Sequence, residues 1–260
     1  MKCCICGTVK NCGKYLDRIF ANMEVIGALF EDYSIVLYYD NSNDNTLQKI
    51  MEYKQKNAKC VYHVNSTPVS KFRTYNIAKG RNYCIKYIRD NYPEYEYFIM
   101  IDCDDVCSKN VQTAVLKGVL ERDDWDSVSF NRPYYYDLWA LSIGPYVFSC
   151  HHFNNGYMLW KNYIHSVMKN ASKTELIPCA SAFNGFAIYR TNKFLNCVYD
   201  GRLRTDYIPI NAMRKNIAQA GRINYQHGKH QDCEHRHFHF QAIALNRARI
   251  RISPLYLFEN

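Results

Sequence analysis

Short apolar runs alternate with helix-periodic segments through the first half of this chain, and few architectures accept that order. Cys3 to Val9, Ser34 to Tyr39, Cys60 to Val64 and Tyr97 to Met100 have the length and composition of buried strands. Between the first two, Tyr15, Leu16, Ile19, Phe20, Met23, Ile26, Leu29 and Phe30 recur at spacings of three and four, which places them on one helical face. Leu47 to Lys54, Tyr75 to Asp90 and Val111 to Leu120 read as further helices. Strands buried on both faces and joined by helices form βαβ units, so the sequence predicts an α/β fold around a mixed, mostly parallel central sheet.

The second half is less regular. Ser127 to Phe130, Ala187 to Tyr189, Ile223 to Tyr225 and Arg249 to Ile252 read as short strands, and His235 to Leu245 as a helix. No linker, low-complexity run or internal repeat separates the halves, so 260 residues are expected to form one domain divided functionally near residue 120. A hydrophobic fraction of 48% with 22% charged residues suits a globular enzyme. No apolar targeting segment precedes Cys3, so the twelve cysteines are expected to be reduced thiols in the cytoplasm, a host cytoplasm if the source is viral. Cys3 and Cys6 form a C-x-x-C without a matching second pair, which argues against structural zinc. The longest apolar stretch, Leu138 to Phe148, is interrupted by Ser142, Gly144 and Pro145 and falls short of the roughly 18 residues of a membrane span.

Three polar clusters carry the chemistry. Ile101-Asp102-Cys103-Asp104-Asp105 closes the strand that begins at Tyr97. Loops at the carboxyl ends of parallel strands line the ligand crevice, and carboxylates there suit magnesium or manganese bound also to phosphate; the plainer reading is an acidic turn capping the next helix. Asp40 to Thr46 follows the second strand and reads either as a capping Asx turn or as a ligand loop. Phe72 to Asn82 opens a helix with Arg73, Lys79 and Arg81, either a solvated face or guanidinium forks suited to diphosphate oxygens. The net charge of +9 calls for an anionic partner but does not choose among nucleic acid, membrane and nucleotide.

The order Asp40-Asn41-Ser42-Asn43-Asp44-Asn45-Thr46, then Arg73 to Asn82, then Ile101 to Asp105 resembles nucleotide-sugar-dependent glycosyltransferases of the GT-A fold. Asp124 to Asn131, Tyr136 to Leu141 and Asp232-Cys233-Glu234-His235 are similar to the capsule-associated mannosyltransferase-like branch of fungi and large DNA viruses. The resemblance runs from Cys3 to about Pro254. It implies a UDP- or GDP-sugar donor, a Mn2+ or Mg2+ cofactor, and a glycan, protein or small-molecule hydroxyl acceptor. It also implies a nucleotide-sugar-binding half over 1–120 and an acceptor-binding and catalytic half over 121–260.

By the same resemblance Thr8, Asp40, Asp44, Arg73, Arg81 and Asp102 would bind the donor, with Asp40 on the base. Asp102 and Asp104 would hold the metal, and Asp105 would assist them or cap the next helix. The acceptor hydroxyl needs a carboxylate to take its proton, and Glu234, ahead of Asp232, is the candidate; the plainer reading makes both of them caps of the following helix. Such enzymes often add a histidine from the C-terminal region to the metal. His239, or His237, is the candidate here, drawn from the run His227, His230, His235, His237 and His239. Asp137, Trp139, Asn184 and Gly185 would shape the sugar and acceptor pocket, with Trp125, Tyr134, Tyr135, Tyr136 and Trp160 divided between that groove and the core. The alternatives are a sugar nucleotidyltransferase and a nucleic-acid-binding protein without catalysis. The first lacks an arginine in Gly7 to Lys14, and the second would concentrate its basic residues along one element.

Overall fold

A computed structural model describes residues 1–153, 156–220 and 231–259. The expected strand Ile223 to Tyr225 and the side chains of His227 and His230 lie outside the described residues. Within them the chain runs β1 (Lys2–Val9), α1 (Gly13–Gly27), β2 (Asp32–Tyr39), α2 (Thr46–Lys56), β3 (Cys60–Val64), α3 (Arg73–Asn91), β4 (Tyr97–Asp102), α4 (Thr113–Leu120), β5 (Ser127–Asn131), α5 (Gly156–Asn170), β6 (Ile177–Cys179), β7 (Phe186–Arg190), α6 (Ile210–Ala220), α7 (Glu234–Asn246) and β8 (Ile250–Tyr256). The strands form one eight-stranded sheet in the order β3-β2-β1-β4-β7-β5-β8-β6. The pairs β3-β2, β2-β1, β1-β4 and β5-β8 are parallel, whereas β7 runs against both its neighbours and β6 against β8.

Alternation along β1 shows why the sheet is covered on both faces. Cys3 and Ile5 join a core with Leu16, Ile19 and Met23 of α1. Cys4 and Cys6 point the other way, into a second core with Ile85 and Ile88 of α3 and Phe238 of α7. A third cluster joins Trp160, Ile164 and Met168 of α5 to Leu141 and Phe148. All twelve cysteines are free thiols, eleven of them buried. Among the described residues no helix is long and apolar enough to cross a membrane.

Register sets the position of the site. Thr8 pairs with Asp102 across β1 and β4, and Val9 with Tyr39 across β1 and β2, so these three strands end level. The chain reverses its winding between β1 and β4, the place where open α/β sheets leave a crevice beyond their carboxyl ends.

The helices α5 and α6 and the strand β6 have no counterpart in the sequence reading. In α5 the buried residues Trp160, Ile164 and Met168 do recur every fourth position, but exposed Tyr157, Met158 and Leu159 beside them blur the pattern. The helix expected at His235 to Leu245 is α7, whose residues from Glu234 to Ala242 are all buried despite their polarity.

Candidate active site

A cavity of about 610 Å³ opens over the ends of β1, β2 and β4, within the range of small-molecule sites. It gathers Thr8, Asp40, Arg73, Arg81, Asp102, Asp104, Asp137, Trp139 and Glu234 from the sequence-derived candidates. Asp44, Asn184, Gly185, Asp232, His237 and His239 are not among its lining residues.

Helix α3 delivers Arg81. Its buried positions Thr74, Ala78, Arg81, Ile85 and Ile88 follow the helical period, so Arg81 shares the inward face and is 4% exposed. Gly80 lets the helix approach this closely, because a Cβ there would stand 2.7 Å from Thr8 Cγ2 and from the Tyr38 ring. The guanidinium donates to Asp102 Oδ1 at 3.0 Å and to Glu234 Oε1, and it lies 4.5 Å from the centre of the Phe183 ring. Burial alone would lower the Arg81 pKa, but the two carboxylates raise it.

Carboxyls outnumber cations at this end of the cavity. Asp102 is pushed up to about 7 by burial, with Arg81 opposing and Asp104 adding to the rise. Asp137 is pushed up to about 6, again by burial first, with the Ala140 N–H opposing and the Glu234 charge reinforcing. Burial likewise raises Asp104, against the pull of the Val106 N–H. That N–H donates to Asp104 Oδ1 at 3.1 Å, and Tyr136 Oη donates to Asp102 Oδ2 at 3.3 Å. Asp105 is exposed and begins the short 3-10 turn Asp105–Cys107.

A divalent cation fits this donor set. Desolvated carboxylates facing a single buried arginine are short of positive charge, and magnesium or manganese needs only one or two protein carboxylates when waters and phosphates complete its shell. Among the described residues no cluster of three His, Cys, Asp or Glu side chains forms a ready-made cage, and Asp102 and Asp104 are the residues that would hold such a cation.

The cavity's other end is set by Asp40. Its Oδ2 accepts from Lys10 Nζ at 3.0 Å and its Oδ1 from Asn65 Nδ2 at 3.0 Å. These partners hold its pKa below the usual carboxylate value although burial pushes upward. Lys10, Lys71 and Arg73 also line the cavity, and the Arg73 charge pulls the Asp104 pKa down. Lys10, which directly follows β1, Lys71 and Phe183 line the cavity without having been among the sequence candidates.

The remaining candidates support the walls. Asp44 accepts from Gly13 N at 3.0 Å and Thr46 N at 3.1 Å, tying the starts of α1 and α2 together. Asn184 (φ 57°) and Gly185 (φ 89°) form a left-handed turn before β7. Asn184 Oδ1 accepts from the N–H groups of Tyr136 at 3.2 Å and Asp137 at 3.3 Å, and the Gly185 carbonyl accepts from Asp102 N at 2.8 Å. Asp232 binds Arg236 Nε at 2.9 Å and Cys233 N at 2.8 Å. Arg236 in turn donates to Ser142 Oγ and the Val147 carbonyl, anchoring the loop below the pocket. Trp125 and Trp160 are fully buried in the core, Tyr134 is exposed, and Tyr136 and Trp139 face the cavity.

The α7 histidines continue inward from Arg81. Arg81 Nη1 meets His235 Nε2, His235 Nδ1 lies 3.5 Å from Tyr189 Oη, Tyr189 Oη lies 3.2 Å from His239 Nε2, and His239 Nδ1 lies 3.0 Å from Ser181 Oγ. Arginine can only donate, so His235 accepts at Nε2 and carries its proton at Nδ1, and a chain continuing through Tyr189 to His239 and Ser181 is satisfied with both imidazoles neutral and protonated at Nδ1. Burial first and Arg81 second hold His235 well below its ordinary pKa and His239 down at about 3. Both ring nitrogens of His239 are thus engaged away from the cavity, and His237 packs 5.6 Å from the Tyr207 ring.

An open α/β sheet with an acidic strand end at its winding reversal, faced by a basic helix, is the architecture of a GT-A fold. The chain matches glycosyl transferase family 2 over residues 4–194 and belongs to that family. Among solved structures it is similar to S. aureus TarS 1–349 in complex with UDP, with a TM-score of 0.51 and 15% identity over 99% of this chain and 59% of that one. The same protein in complex with UDP-GlcNAc gives a TM-score of 0.50 and 15% identity over 99% of this chain and 57% of that one. These likenesses establish the fold, and the chain spans under two thirds of the TarS fragment. No curated protein sequence matches it.

Proposed function

We propose that this chain transfers a sugar from a nucleoside diphosphate sugar, a UDP- or GDP-sugar, to a hydroxyl acceptor with the help of Mn2+ or Mg2+. The observation that carries the reading is the convergence of Asp102, Asp104 and Arg81 at level parallel-strand ends inside one cavity of about 610 Å³. Thr8 and Asp40 would receive the nucleoside, and Asp40 keeps acceptor capacity for a ring imide when the half-exposed Lys10 moves. Arg73, Lys10 and Lys71 would meet the diphosphate from the rim. Asp102 and Asp104 would hold the cation, which when bound offsets the charge growing on the departing diphosphate. Arg81 stays between Asp102 and Glu234 and keeps both carboxylates in place.

Asp137 would meet the acceptor hydroxyl, and Trp139 would offer a ring to the apolar C–H face of a sugar. The donor contacts would fall in 1–120 and the acceptor wall in 121–260, and the motifs resemble the capsule-associated mannosyltransferase-like branch. Free thiols throughout agree with a reducing, cytoplasmic setting. The test is thermal denaturation with UDP-glucose, UDP-GlcNAc and GDP-mannose, each with and without manganese, together with release of nucleoside diphosphate. A manganese-dependent rise in midpoint with one donor is expected. No rise and no release with any of them rejects the reading.

A further inference from the structure

The proposed transfer needs a group to take the acceptor's proton, and the sequence points to Glu234 for it. The carboxylates around the cavity are already committed except one. Asp40 stands at the far end with Lys10, Asp102 and Asp104 face the proposed cation, and Glu234 is paired with buried Arg81. An arginine partner holds a carboxylate in its charged form and makes it a poorer proton acceptor. Asp137 remains, and among the described residues no lysine or arginine forms an ion pair with it.

Its placement is built with care. Asn184 Oδ1 fixes the Asp137 backbone N–H, and the next residue, Gly185, fixes the Asp102 backbone N–H through its carbonyl. Two adjacent residues of one left-handed turn therefore set the position of Asp137 relative to the metal-type aspartate. Asn184 is itself pinned, its Nδ2 donating to the Phe130 carbonyl at 2.9 Å. The Ala140 N–H, 3.2 Å from Asp137 Oδ1, orients the carboxylate, and Trp139 beside it lines the same cavity.

We propose that Asp137 is the general base of the transfer. Resting on the sugar-transfer reading above, the step is a single displacement. The acceptor oxygen forms a bond to the anomeric carbon, the bond from that carbon to the diphosphate oxygen breaks, and the leaving nucleoside diphosphate keeps the electron pair. The acceptor's proton passes to the Asp137 carboxylate.

The test separates proton removal from everything else by changing the nucleophile. Water, like a sugar hydroxyl, must lose a proton when it attacks, whereas azide carries none. Wild type and Asp137→Asn are compared with UDP-glucose, UDP-GlcNAc and GDP-mannose plus manganese, in water alone and with sodium azide. The expected result is hydrolysis lowered about 100-fold or more in Asp137→Asn, with glycosyl azide formed within threefold of wild type and the donor-induced midpoint rise retained. Hydrolysis within threefold of wild type overturns the assignment, as does azide transfer lost in step with hydrolysis. Should the Asn variant fail to fold, Asp137→Glu gives the same reading, with hydrolysis lowered at least tenfold and azide transfer kept. If wild type neither binds nor cleaves any donor, the sugar-transfer reading fails first and takes the base assignment with it.

Discussion

Arg81 and Glu234, 153 residues apart in the chain, form an ion pair that is almost wholly buried, and the same guanidinium binds Asp102. One side chain thus joins the end of β4, the inward face of α3 and the first turn of α7. Buried charges are tolerated only when paired, so the three groups stand or fall together. Removing the cation leaves two carboxylates in a desolvated wall. Arg81→Met is expected to cost about 3–5 kcal/mol in urea unfolding, and Arg81→Met with Glu234→Gln to recover part of it. Additive losses in the double variant would show that the pair is not coupled.

Asp104 tests the metal assignment without that burden. Its one hydrogen bond among the described residues, from Val106 N, is worth about 1 kcal/mol. Asp104→Ala is therefore expected to fold with a melting midpoint within a few degrees of wild type. It should lose the manganese-dependent part of donor binding and turnover. Unchanged manganese dependence in a folded Asp104→Ala protein would reject Asp104 as a ligand.

The difference between what the sequence announced and what it concealed is itself physical. Strands β1 to β4 and helices α1 to α3 are legible because local chain chemistry, short continuous apolar runs against a period of 3.6, is the same as the tertiary demand. The Asp102 and Asp104 cluster is legible for the same reason: it ends an unmistakable strand. Arg81 could be located but not interpreted, since a basic residue on a helix is usually solvated and only the far-off Glu234 makes its burial possible. Asp232 and Glu234 look equivalent in sequence, two residues apart, yet Asp232, just before α7, binds Arg236 while Glu234, in its first turn, binds Arg81. His239 shows the limit most clearly. Its hydrogen-bonding partners Ser181 and Tyr189 lie 58 and 50 residues away, so nothing local could distinguish a metal ligand from a core histidine.

The histidine chain behind Arg81 makes a prediction about protons. His239 is held neutral at about 3 in the folded protein but titrates at its ordinary value near 6.5 when unfolded. Below that value the unfolded state binds the proton and the folded state does not, so this group subtracts stability as pH falls from 6.5 toward 3. Relative to wild type, His239→Gln should therefore gain about 2 kcal/mol between pH 6.5 and 5, after any loss it suffers at neutral pH. Nitrogen-15 NMR should find His235 and His239 both protonated at Nδ1 throughout that range. A protonated imidazole at pH 5, or the Nε2 tautomer, would contradict the one-way chain.

Gly185 offers a separate handle on geometry. At φ 89° it occupies backbone space that side chains rarely enter, and a Cβ there would stand 2.6 Å from Val106 Cγ1 and 2.8 Å from Tyr136 Oη. Gly185→Ala is expected to cost about 1–3 kcal/mol of stability for the strained backbone. The catalytic effect should be larger than the binding effect, because the same turn positions Asp102 through the Gly185 carbonyl and Asp137 through Asn184. Displacing reacting groups by about an ångström can lower turnover roughly 100-fold while leaving the nucleoside contacts at Thr8 and Asp40 untouched. Steady-state kinetics should thus show kcat falling well beyond any rise in KM for the donor. A variant whose KM rises while kcat holds would mean that the turn serves donor binding and does not align the two aspartates.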